Sequence, residues 1–496
     1  MPTEAAVGRD DRDLAVLGVG AALAALVTAW RCWTGYFIDD AWISFRYAAR
    51  LAAGAGLTFD DHEKVLGTSA PLWTLLVAAG DRLGLDAPDA ARVVGCAAYV
   101  AVVVVSAVLA HRLLEGDRRG LLAAGAAAAL LVLPSGFRNL ALSGMESGLA
   151  AALGVAAILA FASRRPVLAG VLAGLAVVNK LDALLLVAAL LAIALLVERR
   201  PAWRTAVTAG LVVAPWVLFA TIYYGSPVPQ SFRRKLEERP DVSPDWAVRA
   251  LADRHLLLLA VVGVIWVVWR WRTWPPASQL IGGTLAAWFV GHLLAISLVD
   301  LGYEWAWYLT VLEPPIAILG AAAVVDLVLL ARDRRQRLVE VALLVAAVGF
   351  ALGLVEQAGD TVVGLAGGDL GGGSVRIEQD LLDAGALIEA HSGDGDVVES
   401  CLGTIQYATL SQPQIDVCGL STVDEPGPAT WYVQAFYDFG QRDRPPEPGF
   451  RAVADFTSSC SHGMDPLWLR VYVRAGTTAD AEAPDDAGPV DPRCAR

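Results

Sequence analysis

Two adjacent carboxylates, Asp39 and Asp40, follow directly on the apolar run LAVLGVGAALAALVTAWRCW, and Arg46 stands close behind them. A carboxylate beside a second carboxylate and near lipid has its pKa pushed up, toward a value useful for taking a proton from an attacking hydroxyl. Neighbouring residues on a helix point about 100° apart, so the two acids do not face one pocket together. One of them suits a helix N-cap, because Asp places an oxygen near the first free N–H groups. The other is then available as a general base. Which acid takes which part stays open.

Cations come next. The segment YYGSPVPQSFRRKLEERPDVSPDW, residues 223–246, carries Arg233, Arg234 and Lys235 together. Such a cluster grips phosphate oxygens through charge-assisted hydrogen bonds, and Pro227 and Pro229 hold the approach to it extended. Anionic lipid headgroups, or Glu237 and Glu238, are the other partners that would explain it. Glu146 opens an apolar helix, where negative charge is favoured. Lys180 and Asp182, in the turn NKLD, either pair with each other or reach for the interface. Glu304 stands at the start of an apolar span and Glu313 inside it, an ionisable group at a depth that marks a functional site. Pro314 and Pro315 should break the helix there. Trp305, Trp307 and Tyr308 form an interfacial belt whose faces also stack on sugars. His292, within an apolar span, reads as a satisfied core histidine. The sequence holds no metal-ligand cluster, Walker loop, dinucleotide fingerprint or Gly-x-Ser-x-Gly elbow. With no nucleotide site in view, a lipid-linked donor suits a site facing away from the cytosol.

The elements that must position these groups are largely membrane helices. The chain has 496 residues, 56% of them apolar, and a mean hydropathy of +0.52. Runs long enough to cross a hydrocarbon core of roughly 30 Å are expected near 14–34, 91–113, 119–137, 146–162, 166–178, 182–197, 203–223, 254–271, 279–299, 305–330 and 338–356. About eleven spans follow, the first an uncleaved signal anchor after a short tail, 1–13. With the N-terminus cytoplasmic, every inner connection is basic: Arg112, Arg118 and Arg119; Arg164 and Arg165; Arg199, Arg200 and Arg204; Arg270 and Arg272; Arg332, Arg334, Arg335 and Arg337. That pattern obeys the positive-inside rule and puts the C-terminus outside.

The first outer loop, 35–90, should hold two surface helices, one over 40–53 with Trp42 and Phe45 on one side and one from Pro71. A Gly-rich linker over 358–374 ends the membrane region. Residues 375–475 read as a small extracytoplasmic α/β domain, and 476–496 as a disordered acidic tail. From 370 onward there are eight Lys and Arg against twenty Asp and Glu, which supplies −12 of the formal −13. Cys401, Cys418, Cys460 and Cys494 lie there, and two disulfides fit, Cys401–Cys418 the first choice.

The run IDDAWISFRYAARLAAGAGLTFDDHEKVLGTSAPLWTLLVA, residues 38–78, resembles the first outer loop of integral-membrane glycosyltransferases of the GT-C class, nearest the actinobacterial terminal arabinofuranosyltransferases. SGMES at 143–147, YYGSPVPQSFRRK at 223–235 and ESCLGTIQYATLSQPQIDVCGLSTVD at 399–424 are similar to further motifs of that branch, in the same order. The resemblance covers about 5–475. It implies a polytopic α-helical GT-C-like fold, a polyprenyl-phosphate sugar donor, a wall or envelope glycan as acceptor, and inversion at the anomeric carbon on the outer face of the cytoplasmic membrane. Asp39 or Asp40 would be the base. Arg46, Arg234, Lys235 and Lys180 would hold the donor phosphate, while Glu146, Tyr224, Glu304, Trp305 and Glu313 would bind substrate. Membrane lipids are the surroundings. No metal ligands, further cofactor or nucleic acid is implied.

Two departures stand out. The branch's Arg-Pro-Asp turn reads Asn179-Lys180-Leu181-Asp182, and a basic residue near the tenth span is replaced by the acids Glu304 and Glu313. A hexosyltransferase acting on lipid or protein fits the acid pair equally. A secondary transporter would show matching halves with broken helices, and none are visible. An inactive paralogue acting as a scaffold subunit would have little reason to keep the acid pair.

Overall fold

The computed structural model describes residues 4–31, 37–61, 63–115, 118–233, 245–298, 306–334, 372–393, 395–400, 403–416, 427–436, 448–456 and 468–484. They belong to two compact units, each built from segments far apart in the chain.

The first unit, residues 1–33, 92–218 and 235–370, is helical. It holds α1 (Glu4–Arg31), most of α4 (Ala87–Leu113), α5 (Arg118–Val132), α6 (Ser135–Ala141), α7 (Ser147–Ala162), α8 (Pro166–Asn179), α9 (Leu184–Glu198) and most of α10 (Trp203–Tyr224). Then come α11 (Trp246–Asp253), α12 (Leu257–Arg270), α13 (Pro276–Leu298), a 3₁₀ segment over Ala306–Leu312, and α14 (Glu313–Arg334). Among the described residues six helices are long and apolar enough to cross a membrane, and α11 with α12, bent by 105°, makes a seventh. The protein is therefore a multi-pass membrane protein. Of the eleven expected spans, α5, α7 and α8 are shorter apolar helices of 15, 16 and 14 residues, and 338–356 lies outside the described residues. Helix α1 begins at Glu4, inside the segment expected as a tail.

Lipid supplies no hydrophobic drive between such helices, so close approach and polar ties do the joining. Gly170 and Gly174, four apart on α8, let α10 approach so closely that a Cβ would stand 2.6 Å from the carbonyl of Thr205 and 2.8 Å from that of Ala209. Asp326 of α14 is buried, accepts the Trp266 indole N–H at 3.0 Å, and lies 3.2 Å from Arg270 and 3.9 Å from Arg119. One carboxylate thus ties α5, α12 and α14.

The second unit, residues 34–91, 219–234 and 371–496, holds α2 (Asp39–Ala53), α3 (Pro71–Arg82), α15 (Gly372–Ala390), α16 (Gly403–Ala408) and α17 (Thr478–Glu482). Its five strands are β1 (Val398–Ser400), β2 (Gln414–Asp416), β3 (Trp431–Phe436), β4 (Phe450–Phe456) and β5 (Trp468–Arg474), in the order β2-β1-β3-β5-β4. Strand β1 runs parallel to β2 and β3, while β5 is antiparallel to β3 and β4. Alternate residues Trp431, Val433, Leu469, Val471 and Val473 form one apolar face against Leu381, Ala384 and Ile388 of α15. The small C-terminal α/β domain is thus present.

The expected linker gives way to helix from Gly372. Part of the expected disordered tail is structured: the Thr477 hydroxyl caps α17 through the Asp480 N–H at 3.1 Å, and Arg451 bonds Asp480. Residues 358–371 and 485–496 lie outside the described set, as do Cys32, Cys401, Cys418, Cys460 and Cys494. Cys96 is a free thiol in α4.

Candidate functional site

Helix α2 carries the acid pair. Ile38 enters it in extended conformation, and Asp39 and Asp40 occupy the first turn, where free N–H groups favour negative charge. Phe37, Trp42 and Phe45 meet edge-to-face, with centroids 5.0 to 5.7 Å apart, and fix the buried side of the helix. Gly54, at φ 88°, ends the helix by turning its N–H back toward Arg50 and Leu51.

Asp39 does cap a helix, but one other than its own. Its carboxylate accepts the Gly403 N–H at 2.9 Å, the Thr404 N–H at 3.0 Å and the Thr404 hydroxyl at 2.8 Å. These are the leading N–H groups of α16. Burial pushes the Asp39 pKa up, and the donors of Thr404 and Gly403 pull against that rise. The approach is tight enough to require glycine: a Cβ at position 403 would stand 2.5 Å from the Asp39 carbonyl oxygen.

Arg46, two turns further along α2, serves the other end of the same short helix. It is fully buried. Its guanidinium donates to the carbonyls of Phe59 at 2.7 Å, Thr409 at 3.2 Å and Gln412 at 3.1 Å, and to that of Gln406. Burial lowers its pKa to about 9, which leaves it charged at neutral pH. Helix α2 therefore offers a carboxylate to the N–H end of α16 and a guanidinium to its carbonyl end, each matched to the helix dipole. Arg46, expected on a donor phosphate, spends its donors on backbone carbonyls. Asp40, partly buried, points about 100° away from Asp39 around the helix.

The loop after α2 is laid against residues 219–233. The Tyr224 hydroxyl, expected to bind substrate, donates to the Leu57 carbonyl at 2.6 Å, and the Gln230 N–H to that of Leu66 at 2.7 Å. The Tyr47 hydroxyl donates to the Val65 carbonyl at 2.7 Å and accepts the Gly67 N–H at 2.9 Å. Lys64 lies 4.6 Å from the centre of the Tyr223 ring. That puts an exposed cation at the start of the basic segment. Sequence reasoning passed over Lys64 because nothing local links it to Tyr223. Arg233 is exposed and donates to the Gln230 side chain at 2.7 Å. Arg234 and Lys235 lie outside the described residues.

The membrane unit has its own polar cluster. Lys180 pairs with Glu146, both buried, and Asn179 donates to the Glu146 carbonyl at 3.0 Å. The Lys180 ammonium is 5.5 Å from the Tyr308 ring centre, and Ser147 donates to the Trp307 carbonyl at 3.3 Å. Asp182 stands 3.8 Å from His292 rather than bridging Lys180. His292 is buried, as expected of a core histidine. Glu313 is buried and bridged by Arg254 at 2.8 Å. The cation missing from the tenth span thus arrives from just before α12. Glu304 and Trp305 lie outside the described residues. Among the described residues no three His, Cys, Asp or Glu side chains gather as metal ligands.

Breaking a buried pair leaves one uncompensated charge, whereas removing both partners does not. Lys180→Met is therefore expected to cost about 3–5 kcal/mol of stability. Adding Glu146→Leu should recover most of it. Thermal unfolding of the detergent-solubilised protein measures both, and equal losses in the single and double variants would contradict the pairing.

Residues 68–297 match the model of Glycosyltransferase family 87. No curated protein matches the chain. Among solved structures the chain is similar to ArnT from Cupriavidus metallidurans bound to undecaprenyl phosphate, with TM-score 0.60 at 13% identity over 96% of this chain and 99% of that one. It is similar to the apo state of that protein with TM-score 0.60 at 15% identity and the same coverage. The likeness runs the length of both chains. The protein shares the fold of that ArnT structure.

Proposed function

We propose that this chain is an inverting glycosyltransferase that moves a sugar from a polyprenyl-phosphate donor to an envelope glycan at the outer face of the cytoplasmic membrane. The observation that carries the reading is the division of labour in the acid pair: Asp39 is engaged by α16, and Asp40 stands beside it as the second carboxylate. In this reading Asp40 takes the proton of the acceptor hydroxyl as that oxygen attacks the anomeric carbon from the face opposite the phosphate. The bond from the sugar to phosphate breaks, and polyprenyl phosphate leaves with the electron pair. Lys64 and the 233–235 cations neutralise the charge that grows on the leaving phosphate, and fixed charge placed where charge develops supplies much of the rate acceleration in such reactions. Lys180, Glu146, Glu304, Trp305 and Glu313 are further residues proposed to contact the lipid-linked donor. The family match and the polyprenyl phosphate held by the ArnT structure support the donor class.

For the sugar we propose arabinofuranose, on the motifs of 38–78, 223–235 and 399–424. A hexosyl donor is the second reading, because the Asp39-Asp40 pair fits it equally. Radiolabel transfer in membranes from polyprenyl-phospho-arabinofuranose and polyprenyl-phospho-mannose to glycan acceptors separates the two. Label moving only from the mannose donor would reassign the sugar, and label moving from neither would end the proposal.

A further inference from the structure

We propose that α16, through Gly403 and Thr404, is a positioning element for the acid pair, so that sugar transfer requires the C-terminal α/β domain to be seated on α2. The inference rests on the reading of that pair as the site of proton removal. It goes beyond that reading by giving a part in the reaction to residues that touch no substrate.

An aspartate in a first helical turn ordinarily turns to its own free N–H groups, but Asp39 turns to those of α16. The rotamer of Asp39 is set from outside, by three donors from residues 364 and 365 positions away. Because Asp39 and Asp40 are consecutive, fixing Asp39 fixes the backbone of the first turn and with it the direction in which Asp40 leaves the helix. The contact also has a steric lock, since position 403 admits only a glycine against the Asp39 carbonyl. Arg46 holds the far end of α16, so the helix cannot pivot about its Asp39 contact alone.

Hydrogen bonds from Thr404 and Gly403 also oppose the rise that burial imposes on the Asp39 pKa. The charged and titratable groups around it are Asp40 and Arg46 on α2, Glu378 of α15, which accepts the Phe37 N–H at 3.1 Å, and Tyr407 of α16, which packs on Trp42 near Asp81 and Asp86. Losing the Thr404 hydroxyl removes one of the three donors that fix Asp39, and so loosens the first turn that carries Asp40.

The test uses the full-length protein in detergent, with turnover counted per site that binds polyprenyl phosphate. Thr404→Val is expected to lower turnover per site about tenfold with donor KM unchanged. Thr404→Ser should restore turnover. A merely structural role would lower the number of donor-binding sites and leave turnover per site unchanged. Wild-type turnover per site in Thr404→Val, or a serine variant as impaired as the valine one, would overturn the proposal. Asp40→Asn is run alongside, because full transfer in that variant would sink the base assignment itself. The positioning contact is then read by thermal midpoints of Asp39→Asn, Thr404→Val and their combination. Non-additive shifts uphold the strut, and additive shifts remove it.

Discussion

Asp40→Asn is expected to lower sugar transfer by roughly a hundred- to ten-thousand-fold, the range general-base catalysis contributes. Asparagine keeps the size of the side chain and cannot take a proton. Asp39 still holds α16, so the fold should survive, and donor KM should stay near the wild-type value because only the transition-state interaction is lost. Asp39→Asn should behave differently. Its amide would turn an N–H group toward the donors of Gly403 and Thr404, and the helix contact would weaken along with turnover. Initial rates and melting temperatures for the two variants, measured side by side, decide the matter. Full turnover in Asp40→Asn with none in a stable Asp39→Asn would reverse the assignment.

Arg46→Met is expected to destabilise the second unit by about 3–5 kcal/mol, since several buried carbonyls lose their donor and water cannot reach them. The carbonyls concerned are those of Phe59, Gln406, Thr409 and Gln412. Arg46→Lys should recover little, because a single ammonium cannot reproduce the spread of a guanidinium. A phosphate-binding role predicts the opposite pattern: donor KM rises while stability is kept. Thermal unfolding and donor titration of the same preparation distinguish the two.

These variants sit where sequence reasoning was least informed. Apolar length located most of the described helices of the membrane unit, and the Trp42 and Phe45 spacing located the buried side of α2. Both signals are local, and local patterns are legible along one chain. The duties of Asp39 and Arg46 were not, although their separation of seven residues places them on one helix face. What gives that spacing meaning is α16, some 360 residues away. Polar pairing in the membrane unit was hidden for the same reason. Lys180 has Asp182 as its neighbour in sequence and Glu146 as its partner in space, and Glu313 is matched by Arg254, 59 residues earlier. A charge announces that it needs a partner, and the fold chooses which.

The grip of Arg46 on residues 406, 409 and 412 has a consequence for how the molecule is made. The guanidinium is synthesised some 360 residues before three of its four acceptors. Until Gln412 has emerged, the early loop cannot finish folding. A chain stopped short of that point would keep a buried cation without most of its acceptors.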